Sequence, residues 1–284
     1  MIRRKRDGRT FFIFDCHTHL GENSLLERFR HKGRKFLPEQ MVPWMDHYGQ
    51  DIVVGFPVVD STSDYSKMTY QILEGAQAHP QRIVPFTRAN PNYEKRAADL
   101  ISEYAAVGIK GIKFHPVWES FPANDPVLVR PIMEEANKYG MVCLFHSGET
   151  WMSLPGLVFD LAQDYKDVKF IIGHCGLYGF DTEAMVMARR SDNIWLDTTE
   201  LYPPQRIRTV VNNVGKEKVV FGSDSPYLNT AAEIEKVMRF SALTDDELDP
   251  ILGRNLARLL GVDPDLPLYK EHIVDYPIDE PFFD

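Results

Sequence analysis

The sequence predicts an α/β protein, a (β/α)8 TIM barrel forming a single domain over residues 1–284, and three observations carry that prediction. Eight short apolar runs rich in β-branched and aromatic residues recur along the chain. Amphipathic helical patterns fill most of the intervals between them. Polar residues able to do chemistry stand at the carboxyl ends of five of the runs, and only a closed barrel brings those ends around one pocket.

Taken in order, the runs are residues 11–14, 52–56, 83–86, 111–114, 142–145, 169–172, 194–196 and 219–221. Between the third and fourth, Ala97, Leu100, Ile101 and Tyr104 stand at i, i+3, i+4 and i+7, one helical face. Further helices read over 125–139, with Pro126 near the first turn, and over 156–165, 182–190 and 205–214. Beyond the eighth run, 230–241 reads as one helix. Thr244 and Glu247 then form a capping box for another that runs to Leu260, where Gly261 and Pro264 stop it. The remainder, 264–284, is rich in proline and acid and predicts an irregular tail against the barrel exterior. A doubly wound open sheet uses the same alternation, but neither G-x-G-x-x-G nor G-x-x-x-x-G-K-[ST] occurs, and eight strands favour closure.

At 284 residues and 44% hydrophobic, the chain has material for a sizeable core. Its net charge of −9 argues against nucleic acid or an anionic membrane as partner, because both need a basic face. A small-molecule substrate fits better. Cys16, Cys143 and Cys175 lie inside apolar runs, as expected of buried free thiols in a reducing, cytoplasmic setting. The basic start, residues 1–10, precedes an apolar run too short for a signal peptide and reads as a frayed lead-in. No run approaches the roughly 18–20 apolar residues of a membrane span. The exterior and the proline-rich tail are compatible with a homodimer.

In FDCHTHLG, strand alternation puts Asp15, His17 and His19 on one face, so the H-x-H pair forms a two-ligand pincer. Strand 5 ends at His146 and strand 8 at Asp224. Four polar groups turned into one cavity are costly unless paired, and three imidazoles with one carboxylate around a divalent cation satisfy them all. The donors suit one Zn²⁺, with Mn²⁺ or Fe²⁺ as alternatives, and are too rich in nitrogen for Ca²⁺ or Mg²⁺. His174, ending strand 6 between glycines, is a candidate catalytic acid or base, a task Asp224 could share. Lys113 and His115 share the inward face of strand 4. Lys113 is placed to meet a substrate carboxylate or an acid such as Asp15. Arg88, Glu149 and Glu200, read as loop residues beyond strands 3, 5 and 7, are candidate substrate contacts. His31, His47, His79 and His272 lie in loop or helix-surface contexts and receive no role.

The ordered set H-x-H, FHSG, GHCG and GSD resembles the amidohydrolase superfamily. GIKFHP, FGSDSP and ILGRNLARLLG place the likeness in its amidohydrolase-related branch, which includes aminocarboxymuconate semialdehyde decarboxylase. The resemblance implies metal ligands at His17, His19, His146 and Asp224, and a catalytic histidine at His174. Lys113 also resembles the lysine that other branches carbamylate to bridge two metals, which would recruit His146 and His174 to a second ion; a single ion is the expectation here.

Two reactions follow. The leading one is hydrolysis of a small carboxylate-bearing ester, lactone or amide by a metal-activated water. It is preferred for the modest loop after strand 1 and the lack of a match to the arginine that decarboxylases of this branch use. The alternative is metal-dependent non-oxidative decarboxylation, a carboxy-lyase reaction with the same ligands. A metal-free binding barrel is a third reading, opposed by the intact ligand set.

Overall fold

The computed structural model describes residues 1–5, 7–21, 36–177 and 179–276. Strands β1 (Ile2–Arg4) and β2 (Thr10–Phe11) precede the barrel. Its strands are β3 (Phe14–Leu20), β4 (Ile52–Pro57), β5 (Ile83–Arg88), β6 (Gly111–Phe114), β7 (Val142–His146), β8 (Lys169–Gly173), β9 (Ile194–Asp197) and β10 (Val219–Val220). These eight pair in chain order and all in parallel. The ends of the sheet then meet. Cys16 N donates to Phe221 O at 2.9 Å, His19 N donates to Ser225 O at 2.7 Å, and Thr18 bridges Ser225. A Cβ built on Gly222 would stand 2.9 Å from His17 Cβ and clash with Thr199 Oγ1, so glycine is what lets the seam close.

Helices α1 (Pro38–Tyr48), α2 (Ser66–Ala78), α3 (Lys95–Ala106), α4 (Arg130–Lys138), α5 (Pro155–Asp164), α6 (Asp181–Arg189) and α7 (Gln205–Val214) return the chain between strands. After β10 come α8 (Thr230–Glu235), which continues as a wide turn to Phe240, then α9 (Asp245–Asp249) and α10 (Asn255–Leu260). The expected helix over 125–139 starts only at Arg130. Asp125 Oδ1 accepts from Val127 N and Leu128 N, both at 2.8 Å, and this local turn competes with the first helical turn. The predicted capping box is present: Glu247 accepts from Thr244 N at 2.7 Å, and α10 ends on left-handed Gly261.

Side-chain alternation sorts the core into two layers. On β7, Val142 and Leu144 join Phe14, Cys16, Phe56, Phe86 and Ile171 inside the barrel, while Cys143 and Phe145 pack outward with helix residues such as Ile132 and Leu161. His146 follows Leu144 by two and therefore turns inward. Lys113 sits between outward-facing Ile112 and Phe114 and turns inward for the same reason.

Three expectations change. The first barrel strand runs from Phe14 to Leu20 rather than over 11–14, because the preceding aromatics serve β2 and the floor of the barrel. The basic lead-in is no frayed end: β1 pairs antiparallel with β2 and parallel with β11 (Val274–Tyr276). The expected irregular tail over 264–284 is correspondingly ordered where it is described, as helix α11 (Pro267–Glu271) and strand β11. Residues 277–284 and His31 lie outside the described residues. No helix among the described residues is long and apolar enough to cross a membrane.

Candidate active site

The inward-facing ends of the strands surround a cavity of about 370 Å³ lined by His19, Lys113, His115, His146, Glu149, His174, Glu200 and Asp224, with Val59, Trp118, Leu177, Tyr227 and Leu228 around them. At its base the H-x-H pair converges on Asp224. His19 Nε2 is 2.9 Å and His17 Nε2 3.4 Å from Asp224 Oδ1. Ligands about 2.1 Å from one ion, at tetrahedral to octahedral angles, stand about 3.0–3.4 Å apart, so this triad fits a divalent cation. Burial holds both imidazoles well below their usual pKa, in the neutral form a metal requires. Burial, reinforced by Glu200, pushes the Asp224 carboxyl well up, as expected of a buried carboxylate facing too little positive charge.

The His17 ring is held from behind. Its Nδ1 lies 2.8 Å from Asp197 Oδ2, and Asp197 Oδ1 accepts from His174 N at 2.7 Å and Thr199 N at 3.0 Å. A carboxylate at Nδ1 keeps the proton there and leaves Nε2 unprotonated, the form an ion requires. The sequence reading passed over Asp197, although it ends an apolar run just as Asp224 and His146 do. The same rule applied to strand 7 finds it.

Lys113 is buried and directs Nζ to His17 Nε2 at 3.0 Å, not to Asp15. Burial, with Arg88 nearby, lowers its pKa, while Asp224 and Asp197 oppose that. Asp15 instead fastens the barrel seam, accepting from Ser223 N at 3.0 Å, His17 N at 2.9 Å and Gln50 Nε2 at 2.6 Å. Arg88 is not in a loop. It closes β5, is fully buried, donates Nε to Pro57 O at 2.9 Å and brings Nη2 to 3.5 Å from His19 Nδ1, outside the cavity lining. The run seemed to end at Phe86 because Thr87 and Arg88 are polar; Thr87 Oγ1 pairs with Thr69 Oγ1 of α2 at 2.7 Å, and Arg88 finds backbone oxygen.

Across the cavity, His146 Nε2 lies 3.1 Å from Glu149 Oε2, a bond that holds the Glu149 carboxyl below its usual range. The His146 ring stacks on His115 at 3.9 Å and 12°. An ion lies in the plane of each ring that binds it, so two near-parallel rings do not share one in this arrangement. His146 thus stands apart from the tight His17, His19 and Asp224 group, though its ring is 4.5 Å from that of His174. His174 forms a third group with Glu200 and Asp224; its Nδ1 is 3.3 Å from Glu200 Oε2, without hydrogen-bond alignment. His174, Glu200 and Asp224 all adopt left-handed backbone, at φ 58°, 54° and 53°, strain of the sort that gathers at functional sites. Glu119 was also missed: fully buried, it accepts from Tyr65 Oη and from His115 N, and so ties the chain after β6 to Tyr65.

A closed parallel barrel with histidines and a carboxylate converging at its carboxyl ends defines a metal-dependent enzyme architecture. The family model described as amidohydrolase matches residues 14–262, and the chain belongs to that family. No curated protein matches it in sequence. Among solved structures, it is similar to 2,6-dihydroxybenzoate decarboxylase from Rhizobium, with TM-score 0.73, 12% identity, and 89% of this chain and 99% of that one covered. A dihydroxybenzoic acid decarboxylase from Polaromonas sp. JS666, with bound manganese and 2-nitroresorcinol, gives TM-score 0.67 and 13% identity, covering 89% and 97%. An uncharacterized TIM-barrel protein from Bordetella bronchiseptica gives 0.69 and 19%, covering 88% and 99%. At these identities the likeness speaks for the fold.

Proposed function

We propose that the chain is a metal-dependent carboxy-lyase that removes CO2 non-oxidatively from a small carboxylic acid. The observation that carries this reading is the juxtaposition of the Lys113 ammonium with the His17, His19 and Asp224 cluster beneath a collar of Val59, Trp118, Leu177 and Leu228. A carboxylate suits the floor and an apolar body suits the collar. The decarboxylases among the structural relatives support this reading over the hydrolysis that leads from sequence alone.

His17, His19 and Asp224 would hold the ion, while the expected fourth ligand, His146, faces Glu149 and would join them only on turning away from it; manganese, held by one relative, joins zinc and iron as candidates. When bound, the cation supplies an electrophile that draws negative charge from substrate oxygens. Lys113 and His115 bind the substrate's carboxylate, and Glu149 orients His146. Arg88 orients His19 rather than touching substrate. Loss of CO2 replaces a C–C bond by a C–H bond, so a proton must reach the carbon left behind. His174, with Nδ1 toward Glu200, relays it: a proton taken up from solvent at Nε2 passes to the carbon.

Hydrolysis remains the second reading, favoured by the closeness of His174, Glu200 and Asp224, a set of bases suited to taking a proton from water. The test is direct. The manganese- or zinc-loaded chain is offered aromatic and unsaturated carboxylic acids, and separately lactones, esters and amides. CO2 release that disappears in His174→Asn is expected, whereas ester or amide cleavage without CO2 overturns the proposal. Metal counted after purification with bicarbonate should be one ion per chain; two would point to carbamylated Lys113.

A further inference from the structure

Beside the cavity lies a buried ion pair that the chemistry above does not use. Lys236 and Glu233, at the end of α8, are 2% and 1% exposed and pair with each other. An isolated buried pair of this kind contributes little net stability, because desolvation offsets the attraction. This one is not isolated. Its further hydrogen bonds go to the segment that follows β9: Lys236 Nζ donates to Thr198 O at 2.7 Å, while Glu233 accepts from Tyr202 Oη at 2.7 Å and from Glu200 N at 3.4 Å. The Lys236 ammonium also sits 4.8 Å from the centre of the Tyr202 ring.

That segment begins at Asp197, which holds His17 and the His174 backbone, and carries Glu200 against His174 Nδ1. Glu200 has φ 54°, a conformation a non-glycine residue keeps only where its surroundings enforce it. Three tethers from one ion pair, two of them bracketing Glu200 at Thr198 and Tyr202 and the third on its own N–H, provide the enforcement. We propose that Lys236 and Glu233 are positioning residues that set the Glu200 carboxylate beside His174 in the cavity wall. The proposal rests on the reading of His174 as the proton-moving group, and it names what holds that group ready.

The test reads the His174 tautomer by NMR on the zinc-loaded full chain with 15N-labelled histidine, assigned by the signal lost in His174→Asn. In the wild type the nearby carboxylate favours the Nδ1–H form. Glu200→Gln should convert the signal to an average of tautomers. Combined Glu233→Leu and Lys236→Met, an apolar replacement that buried pairs often tolerate, should do the same with little change in melting temperature. Lys236→Arg, which keeps the charge and donors, should restore the wild-type pattern. Should the double variant fail to fold, Lys236→Gln carries the test. A wild-type pattern in a folded pair variant overturns the proposal, as does one in Glu200→Gln. Under the carboxy-lyase reading, CO2 release by a folded pair variant falls by about 10²-fold in kcat with KM little changed. A wild-type chain with the expected tautomer but no CO2 release would instead refute the carboxy-lyase reading and leave the positioning role standing.

Discussion

Asp197 touches no cavity surface, yet it decides how His17 presents itself. Asp197→Asn keeps the shape but turns an acceptor into an amide whose N–H2 can face His17 Nδ1, which favours the tautomer with the proton on Nε2, the nitrogen the ion needs. Affinity for Mn²⁺ or Zn²⁺ should fall about 10- to 100-fold while the chain stays folded. Competition against a chelator measures it, and unchanged affinity would remove Asp197 from the centre. At this scale the sequence was legible wherever a polar residue ended an apolar run and a matching motif drew the eye: His17, His19, His146, His174 and Asp224. Asp197 obeyed the same rule without a motif. Arg88 and Glu119 were hidden for a different reason, since their burial is made tolerable by partners far along the chain, Pro57 and Tyr65, that no local pattern announces.

Among elements, the helix start at Thr244 was legible because a capping box is a local device, whereas the delayed start of α4 depended on an Asp125 turn competing with helical periodicity. The capping glutamate yields a pH prediction. Hydrogen bonding from Arg208, with Thr244 adding to it, holds Glu247 down to about 2 from an ordinary 4.5. A depressed carboxyl contributes stability that is present above its unfolded value and lost as pH falls through the folded one. Glu247→Gln should therefore cost about 1–2 kcal/mol at neutral pH, and the gap from wild type should narrow between pH 4.5 and pH 2 in urea unfolding. A gap independent of pH would mean that the charge plays no part. The seam between β3 and β10 gives a second prediction: Gly222→Ala forces a methyl against His17 Cβ and Thr199 Oγ1, so it should destabilise by about 1–3 kcal/mol. It should also weaken metal binding, because the displaced backbone carries a ligand; a calorimetric melt and a metal titration on the same sample separate the two effects.

For the whole molecule, eight strand runs and the helices in most of the intervals were readable because each pattern is local, and the barrel follows once the runs are counted. The small sheet at its base was not, because β1 pairs with β11 from the far end of the chain, and neither strand carries a strong pattern of its own. The cavity joins residues from seven barrel segments, so an ion bound there ties together elements that otherwise meet only through neighbours. Ligand that binds only the folded state stabilises it by about 2.7 kcal/mol at a hundredfold excess over Kd. In a chain of this size each kcal/mol raises Tm by about 2–4 °C. Chelator-stripped protein should therefore gain roughly 5–10 °C on saturation with Mn²⁺ or Zn²⁺, rising with the logarithm of metal concentration. The combined variant His17→Ala and His19→Ala should show no such rise, although its metal-free form melts lower than wild type because Lys113 Nζ and Arg88 Nη2 lose their ring partners. A wild-type chain indifferent to both ions would take the metal centre, and the chemistry proposed for it, off this barrel.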